Sequence, residues 1–242
     1  MKLTTVLSSA NNNLKYYMFI PKQIKFWNRF NIKFIAIFVG ENIPECLKDY
    51  SENIILYNKN VDLNSAYVAQ NIRIFYPALL SLPDDEIVMI TDMDMLPTND
   101  KYYKEGLEQY NIDDFIYYRN IDGNQIYMCY NAANPKTWSK IFNINTIDDI
   151  ENIINKNYQE QYNGIPGSKE WCIDQEIMYK YLINYKNLKV LNRPIKRLEV
   201  YRYKSYLSSN NNNFISQYDD AHFHRDYFSN ETLINNAENQ LY

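Results

Sequence analysis

The sequence predicts an α/β fold: a single domain with a mainly parallel central sheet flanked by helices. Three observations carry this. Near-continuous apolar runs such as "IKFIAIFVG" suit strands covered on both faces. Strands alternate with helical patterns through the first hundred residues, the order that builds parallel sheets. Finally, 242 residues with 46% hydrophobic and 22% charged content can bury a core of that size.

In chain order, "KLTTVLSS" reads as a first strand ending at Ser8 and Ser9, followed by the polar loop "ANNN". Helical spacing of Phe19, Ile20, Ile24 and Trp27 predicts a helix around Pro21 to Phe30. "IKFIAIFVG" is the second strand and "NIILYN" a short third. "NSAYVAQNIRIFYPALLSL" is helical, with Pro77 kinking or splitting it. "DDEIVMITDMD" is the fourth strand. Beyond residue 100 the pattern is less regular. "DDFIYYRN" and "QIYMCYNAAN" read as strands, and "NPKTWSKIF" as a helix capped by Asn134 with Pro135 at its first position. "TIDDIENIINKNY" is an amphipathic helix, "NGIPGS" a loop, and "EWCIDQEIMYKYLINY" another helix. Residues 208–213, "SSNNNN", read as a low-complexity surface loop. No repeat or linker divides the chain.

Net charge is −4, and no basic run supplies a field for nucleic acid. A polyanionic ligand must then be met locally, by a few cations or a metal. Three scattered cysteines without a CxxC pair argue against a disulfide framework or structural zinc and suit a reducing, cytoplasmic compartment. No apolar run approaches membrane-spanning length, so no membrane insertion is expected. Abundant Asn, Ile and Tyr (24), with only 5 Gly, read as coding bias, so most tyrosines are packing residues.

The chemistry concentrates in "IVMITDMDMLPTND". Asp92 and Asp94 stand at i and i+2 at the end of a buried strand, on one face, with Cα atoms about 7 Å apart. Ligands of open α/β sheets bind outside the carboxyl ends of the strands. Two carboxylates there suit Mn2+ or Mg2+, with a substrate diphosphate completing the shell; otherwise they cap a solvated turn. Arg73, on the preceding helix, is either a forked phosphate contact or a surface arginine. Asp174 is either an acid–base carboxylate or an aspartate favoured by a helix N-terminus. Trp171, three residues earlier, shares its face, able to stack on a sugar or to fill the core. His222 and His224 are the chain's two histidines.

A first strand ending in a polar loop, an arginine-bearing helix before "IVMITDMDMLP", and a later "WCIDQE" together resemble the GT-A glycosyltransferases. "VAQNIRIFYPALL" followed by "TDMDMLP" is most similar to the compact members encoded by large DNA viruses and their bacterial relatives. The resemblance spans Leu3 to about Arg225. It implies a GT-A, Rossmann-like domain with a nucleotide-binding half (1–100) and an acceptor-binding half with a C-terminal segment (101–242). It also implies a nucleotide-sugar donor, with UDP favoured, a glycan or other hydroxyl acceptor, and a divalent cation, Mn2+ or Mg2+. In these terms Asp94 ligates the metal and Asp92 contacts the ribose, or the metal through water. Ser8, Ser9 and Arg73 hold the nucleotide, Asn131 and Trp171 line the sugar pocket, and Asp174 is the base if the transfer inverts; a retaining transfer proceeds on the donor's front face and requires no such base. His222, in "DDAH", is the third metal ligand in preference to His224. Ala132 and Ala133 replace a glycine that the family often carries near Asn131. Two other functions fit DxD less well. One is a phosphatase of the haloacid-dehalogenase kind, whose motif expects Thr or Val where Leu96 stands; the other is a binder that has lost turnover.

Overall fold

A computed structural model describes residues 1–119, 121–165, 167–191, 193–208, 214–224 and 226–241. Most of the expected "SSNNNN" loop, residues 209–213, lies outside them.

The chain begins with β1 (Lys2–Asn11), a short α1 (Leu14–Tyr17), α2 (Ile20–Asn28), β2 (Lys33–Val39), β3 (Ile54–Tyr57), α3 (Ser65–Phe75) and β4 (Glu86–Ile90). These strands form the parallel run β3-β2-β1-β4. Next come β5 (Met95–Pro97), α4 (Lys101–Lys104), β6 (Phe115–Tyr117), β7 (Asn131–Ala133), α5 (Pro135–Phe142), α6 (Ile147–Asn157), α7 (Ile173–Leu182) and β8 (Leu188–Val190). β7, β6 and β8 complete a seven-stranded sheet, with β7 antiparallel to both β4 and β6. The chain closes with β9 (Arg197–Glu199), α8 (Val200–Ser208), β10 (Asp220–His222) and α9 (Tyr227–Asn239). β5, β10 and β9 form a separate three-stranded sheet with β10 in the centre.

Period-2 alternation along the strands divides the core into two layers. Phe34, Ala36, Phe38, Ile87 and Met89 pack on one face with α2, α9 and the small sheet. Ile35, Ile37, Val39, Val88 and Ile90 pack on the other with α3, α5, α6 and α7. A strand buried on both faces cannot alternate polar with apolar residues, which is why these runs look uninterrupted in the sequence.

Local signals explain several boundaries. Asn134 caps α5 by accepting from the Lys136 amide at 3.0 Å, with Pro135 at the first position, as expected. The same Asn134 amide donates to the Pro83 and Glu86 carbonyls, tying α5 to the start of β4. Pro77 splits the long helical stretch: α3 stops at Phe75 and a 3-10 turn, Tyr76–Leu79, follows. The helix predicted over "EWCIDQEIMYKYLINY" likewise divides into a 3-10 turn, Lys169–Cys172, and α7. Two further expectations change. β1 runs on to Asn11, so Ser8 and Ser9 are inside the strand, and only Asn131–Ala133 of the predicted strand "QIYMCYNAAN" is one. No described helix is long and apolar enough to cross a membrane.

Candidate active site

β1 is the point where strand order reverses, with β2 on one side and β4 on the other. A crevice opens beyond the carboxyl ends of two strands at such a switch. A cleft of about 300 Å3 lies there. Ser9, Ala10 and Asn11 of β1 and the turn Asp92–Met95 after β4 form its floor. α3 contributes Gln70 and Arg73; the start of α7 and the turn before it contribute Trp171, Asp174 and Gln175. Tyr162 and Gly164 close one wall, and His222 of β10 enters from the small sheet.

The DxD pair occupies the turn between β4 and β5. That turn is held from beneath by Gln23 of α2, fully buried, whose amide donates to the Met93 carbonyl at 2.7 Å and the Met95 carbonyl at 2.8 Å. Trp27 Nε1 donates to Gln23 Oε1 at 2.9 Å and so fixes the amide's orientation. Nothing in the sequence singles out Gln23, because its partners are backbone atoms about seventy residues away.

Arg73 bridges two carboxylates. Nη1 lies 2.5 Å from Asp92 Oδ1 and Nη2 2.9 Å from Asp174 Oδ2. Burial opposes the guanidinium charge, but the two carboxylates outweigh it and raise the Arg73 pKa. Burial pushes the Asp174 carboxyl up to about 6, against the lowering effect of Arg73. Asp174 is 1% exposed, and its Oδ1 accepts the Gln175 amide at 2.8 Å. With both oxygens engaged and almost no exposure, the carboxylate expected as a base holds Arg73 in this structure.

Asp94 faces a histidine. His222 Nε2 lies 3.5 Å from Asp94 Oδ2, and its Nδ1 lies 3.2 Å from Glu199 Oε2. His224 Nε2 approaches the same Glu199 oxygen at 2.7 Å. Burial lowers the His222 pKa, but its hydrogen bond to Asp94 and the two nearby carboxylates outweigh that and raise it. Two ligand atoms on neighbouring vertices of an octahedral ion with bonds of about 2.1 Å stand about 3 Å apart. The Asp94–His222 spacing, with its mixed N/O donors, therefore fits one divalent ion after a small adjustment. The expected trio Asp92, Asp94 and His222 is not preassembled, since Asp92 is engaged by Arg73. Among the described residues, the one group of three or more ligating side chains close enough to share an ion is Glu199, His222 and His224.

Two predicted residues do not reach the cleft. Ser8 is fully buried and donates to the Thr91 carbonyl at 2.9 Å; because neighbours on a strand face opposite ways, Ser9 lines the cleft and Ser8 does not. Ser9 donates to the Ala69 carbonyl. Asn131 is also fully buried, with its amide donated to the Tyr127 and Met128 carbonyls. It braces the segment that brings Met128 to the cleft. Conversely, the sequence reading missed Gln70, Tyr162 and Gln175. Tyr162 donates to Gln70 Oε1 at 2.8 Å, and Gln70 donates to the Trp171 carbonyl, so the wall is one connected unit. Gln175 Oε1 and Arg73 Nε are buried with no protein partner.

The parallel run β3-β2-β1-β4, the antiparallel β7 beside it, and a DxD turn at the crevice define a GT-A type fold. The galactosyltransferase LgtC, solved in complex with donor and acceptor sugar analogs, superposes with a TM-score of 0.50 at 12% identity, over 98% of this chain and 96% of LgtC. An active-site glutamine-to-glutamate variant of LgtC matches equally. The glycosyltransferase GlyE of Streptococcus pneumoniae TIGR4 gives 0.51 at 15% identity over 93% of this chain, which spans 55% of the length of GlyE. At these identities the likeness is one of fold. No family profile matches the chain, and no curated protein matches it.

Proposed function

We propose that the chain is a metal-dependent glycosyltransferase that moves a sugar from a nucleoside diphosphate, with UDP favoured, to a hydroxyl of a glycan or similar acceptor. The observation that carries the proposal is the convergence of Arg73, Asp94 and His222 on one cleft at the switch point of the sheet. In a chain of net charge −4 this is where a diphosphate can be neutralised. Solved neighbours of the same fold are glycosyltransferases, one of them holding sugar analogs.

Asp94 and His222 are the residues that would hold the divalent cation, with Mn2+ favoured over Mg2+ by the imidazole nitrogen. When bound, that cation neutralises charge on the leaving diphosphate. The carboxyl end of β1 and the side chain of Tyr16 take the nucleoside, and Asp92, oriented by Arg73, takes the ribose. Trp171 and Tyr162 form the apolar wall for sugar and acceptor. Asp174 acts through Arg73 and does not contact the acceptor. With that carboxylate committed, a front-face course fits. The acceptor oxygen bonds to the anomeric carbon as the bond to phosphate breaks, and the acceptor proton passes to the leaving phosphate oxygen. The anomeric configuration is then retained.

The test is donor hydrolysis and transfer with Mn2+ across UDP-, GDP- and dTDP-sugars, with the product anomer read by NMR. Turnover should require the metal, retain configuration and vanish in Asp94→Ala. Donor binding without turnover on any acceptor would make the chain a sugar-nucleotide binder instead.

A further inference from the structure

β10 is the middle strand of the small sheet, and its neighbours bracket His222. On one side His222 pairs with Met95, directly after Asp94; on the other it is the register partner of Glu199 on β9. The two ring nitrogens divide accordingly, Nε2 towards Asp94 and Nδ1 towards Glu199. Asp94 and His222 line the cleft, and Glu199 is not part of its lining.

A neutral imidazole has a lone pair on one nitrogen and a proton on the other. Ligation of a cation in the cleft needs that lone pair on Nε2, so the proton must sit on Nδ1. We infer that Glu199 is a positioning residue of the metal site: it accepts the Nδ1 proton of His222, fixes the ring's tautomer and orientation, and thereby presents Nε2 beside Asp94. This rests on the reading of the cleft as metal-dependent. Ligating histidines are commonly held in this way by an outer carboxylate. His224 is the second donor to the same oxygen and steadies Glu199.

The competing arrangement is an ion bound directly by Glu199, His222 and His224. It would use His222 Nδ1, leave the Nε2 proton donated to Asp94 with no lone pair towards the cleft, and lie away from the cleft. The 2.7 Å separation of His224 Nε2 from Glu199 Oε2 is a hydrogen-bond length.

The experiment is titration of the purified protein with Mn2+ alone, free Mn2+ being counted by EPR, with folding checked by circular dichroism. Wild type should bind saturably, and Asp94→Asn and His222→Ala should not. Glu199→Ala should weaken binding about 10- to 100-fold. Glu199→Gln, whose carbonyl still accepts the Nδ1 proton, should recover part of it, and His224→Ala should cost less than Glu199→Ala. With Zn2+ as a diamagnetic probe, 15N spectra of the two histidine rings should give a protonated Nδ1 and a metal-shifted Nε2 for His222. Unchanged affinity in Glu199→Ala, beside loss in Asp94→Asn, overturns the inference and leaves the metal site standing. Normal binding in Asp94→Asn with complete loss in His224→Ala assigns the ion to the three-residue cluster and overturns it as well. Absence of saturable Mn2+ binding by wild type, with and without UDP, overturns the metal reading itself.

Discussion

Arg73 holds two carboxylates that point into the cleft from different elements, and each hydrogen bond uses a different arm of the guanidinium. Lysine cannot reproduce that fork, so Arg73→Lys is expected to raise the donor KM at least tenfold. Arg73→Met strands Asp174 in a site where it is 1% exposed. Breaking such a buried pair costs about 3–5 kcal/mol, readable as a shift in the urea midpoint. The Asp174 pKa near 6, raised by burial, sets a pH dependence. Above it the ionised clamp is complete; below it Arg73 loses a charged partner. Activity should fall on the acid side through about pH 6, and this limb should be missing in Asp174→Asn. For stability the sign is opposite. A carboxyl with a raised folded pKa stabilises most below its unfolded value and loses that contribution as pH rises from about 4 to about 6. The difference in unfolding free energy between wild type and Asp174→Asn across that window measures it. Arg73, Asp92, Asp94, Trp171, Asp174 and His222 all reach the cleft, and each was legible because a charged, aromatic or histidine side chain stood out beside an apolar pattern. Ser8 and Asn131 do not reach it, because which face of a strand a polar residue takes depends on where the strand ends. Gln23 and Glu199 left no local signal at all, since their partners are distant in sequence.

At the scale of elements, the site depends on two joints. The first is α2 against the DxD turn. Gln23→Leu would leave the Met93 and Met95 carbonyls without their donor. An unmet buried acceptor costs about 1–3 kcal/mol, so this variant should lose stability in that range, and its affinity for Mn2+ should fall as the turn loosens. The second joint is β9 against β10. Arg197 and Asp220 are register partners, joined at 2.6 Å with Asp220 fully buried, and Tyr130 donates to the same carboxylate at 2.6 Å. Two residues on, the same register pairs Glu199 with His222. A slip of one residue would move Glu199 to the opposite face. The parallel half was legible because its strands are four to ten residues long and, apart from the edge strand β3, buried on both faces. β5, β8, β9 and β10 were not: a strand of three residues is too short to display a period, and tertiary pairing alone defines it.

Over the whole molecule, the nucleotide-binding and acceptor-binding halves expected from the resemblance share one sheet and two continuous cores. β7 pairs with β4 across the boundary at residue 100, and the C-terminal segment returns to the N-terminal half. Phe19 packs against Phe223 and Tyr227, and Lys22 and Lys25 both bind Glu238 of α9. Such interlocking makes separate unfolding of the halves costly, because either one alone would expose the apolar face it shares with the other. We therefore propose one cooperative domain. Trp27 lies in the core layer beneath α2, and Trp138 in the layer beneath α3 and α7, so the two indoles report on opposite faces of the sheet. Single-tryptophan variants that keep one or the other should give coincident urea transitions, matching the far-UV circular dichroism. Two resolved midpoints would mean that the layers unfold apart. If Mn2+ and a donor bind only the native cleft, adding both should move the two transitions together, since mass action on a single native state cannot stabilise one layer and leave the other behind.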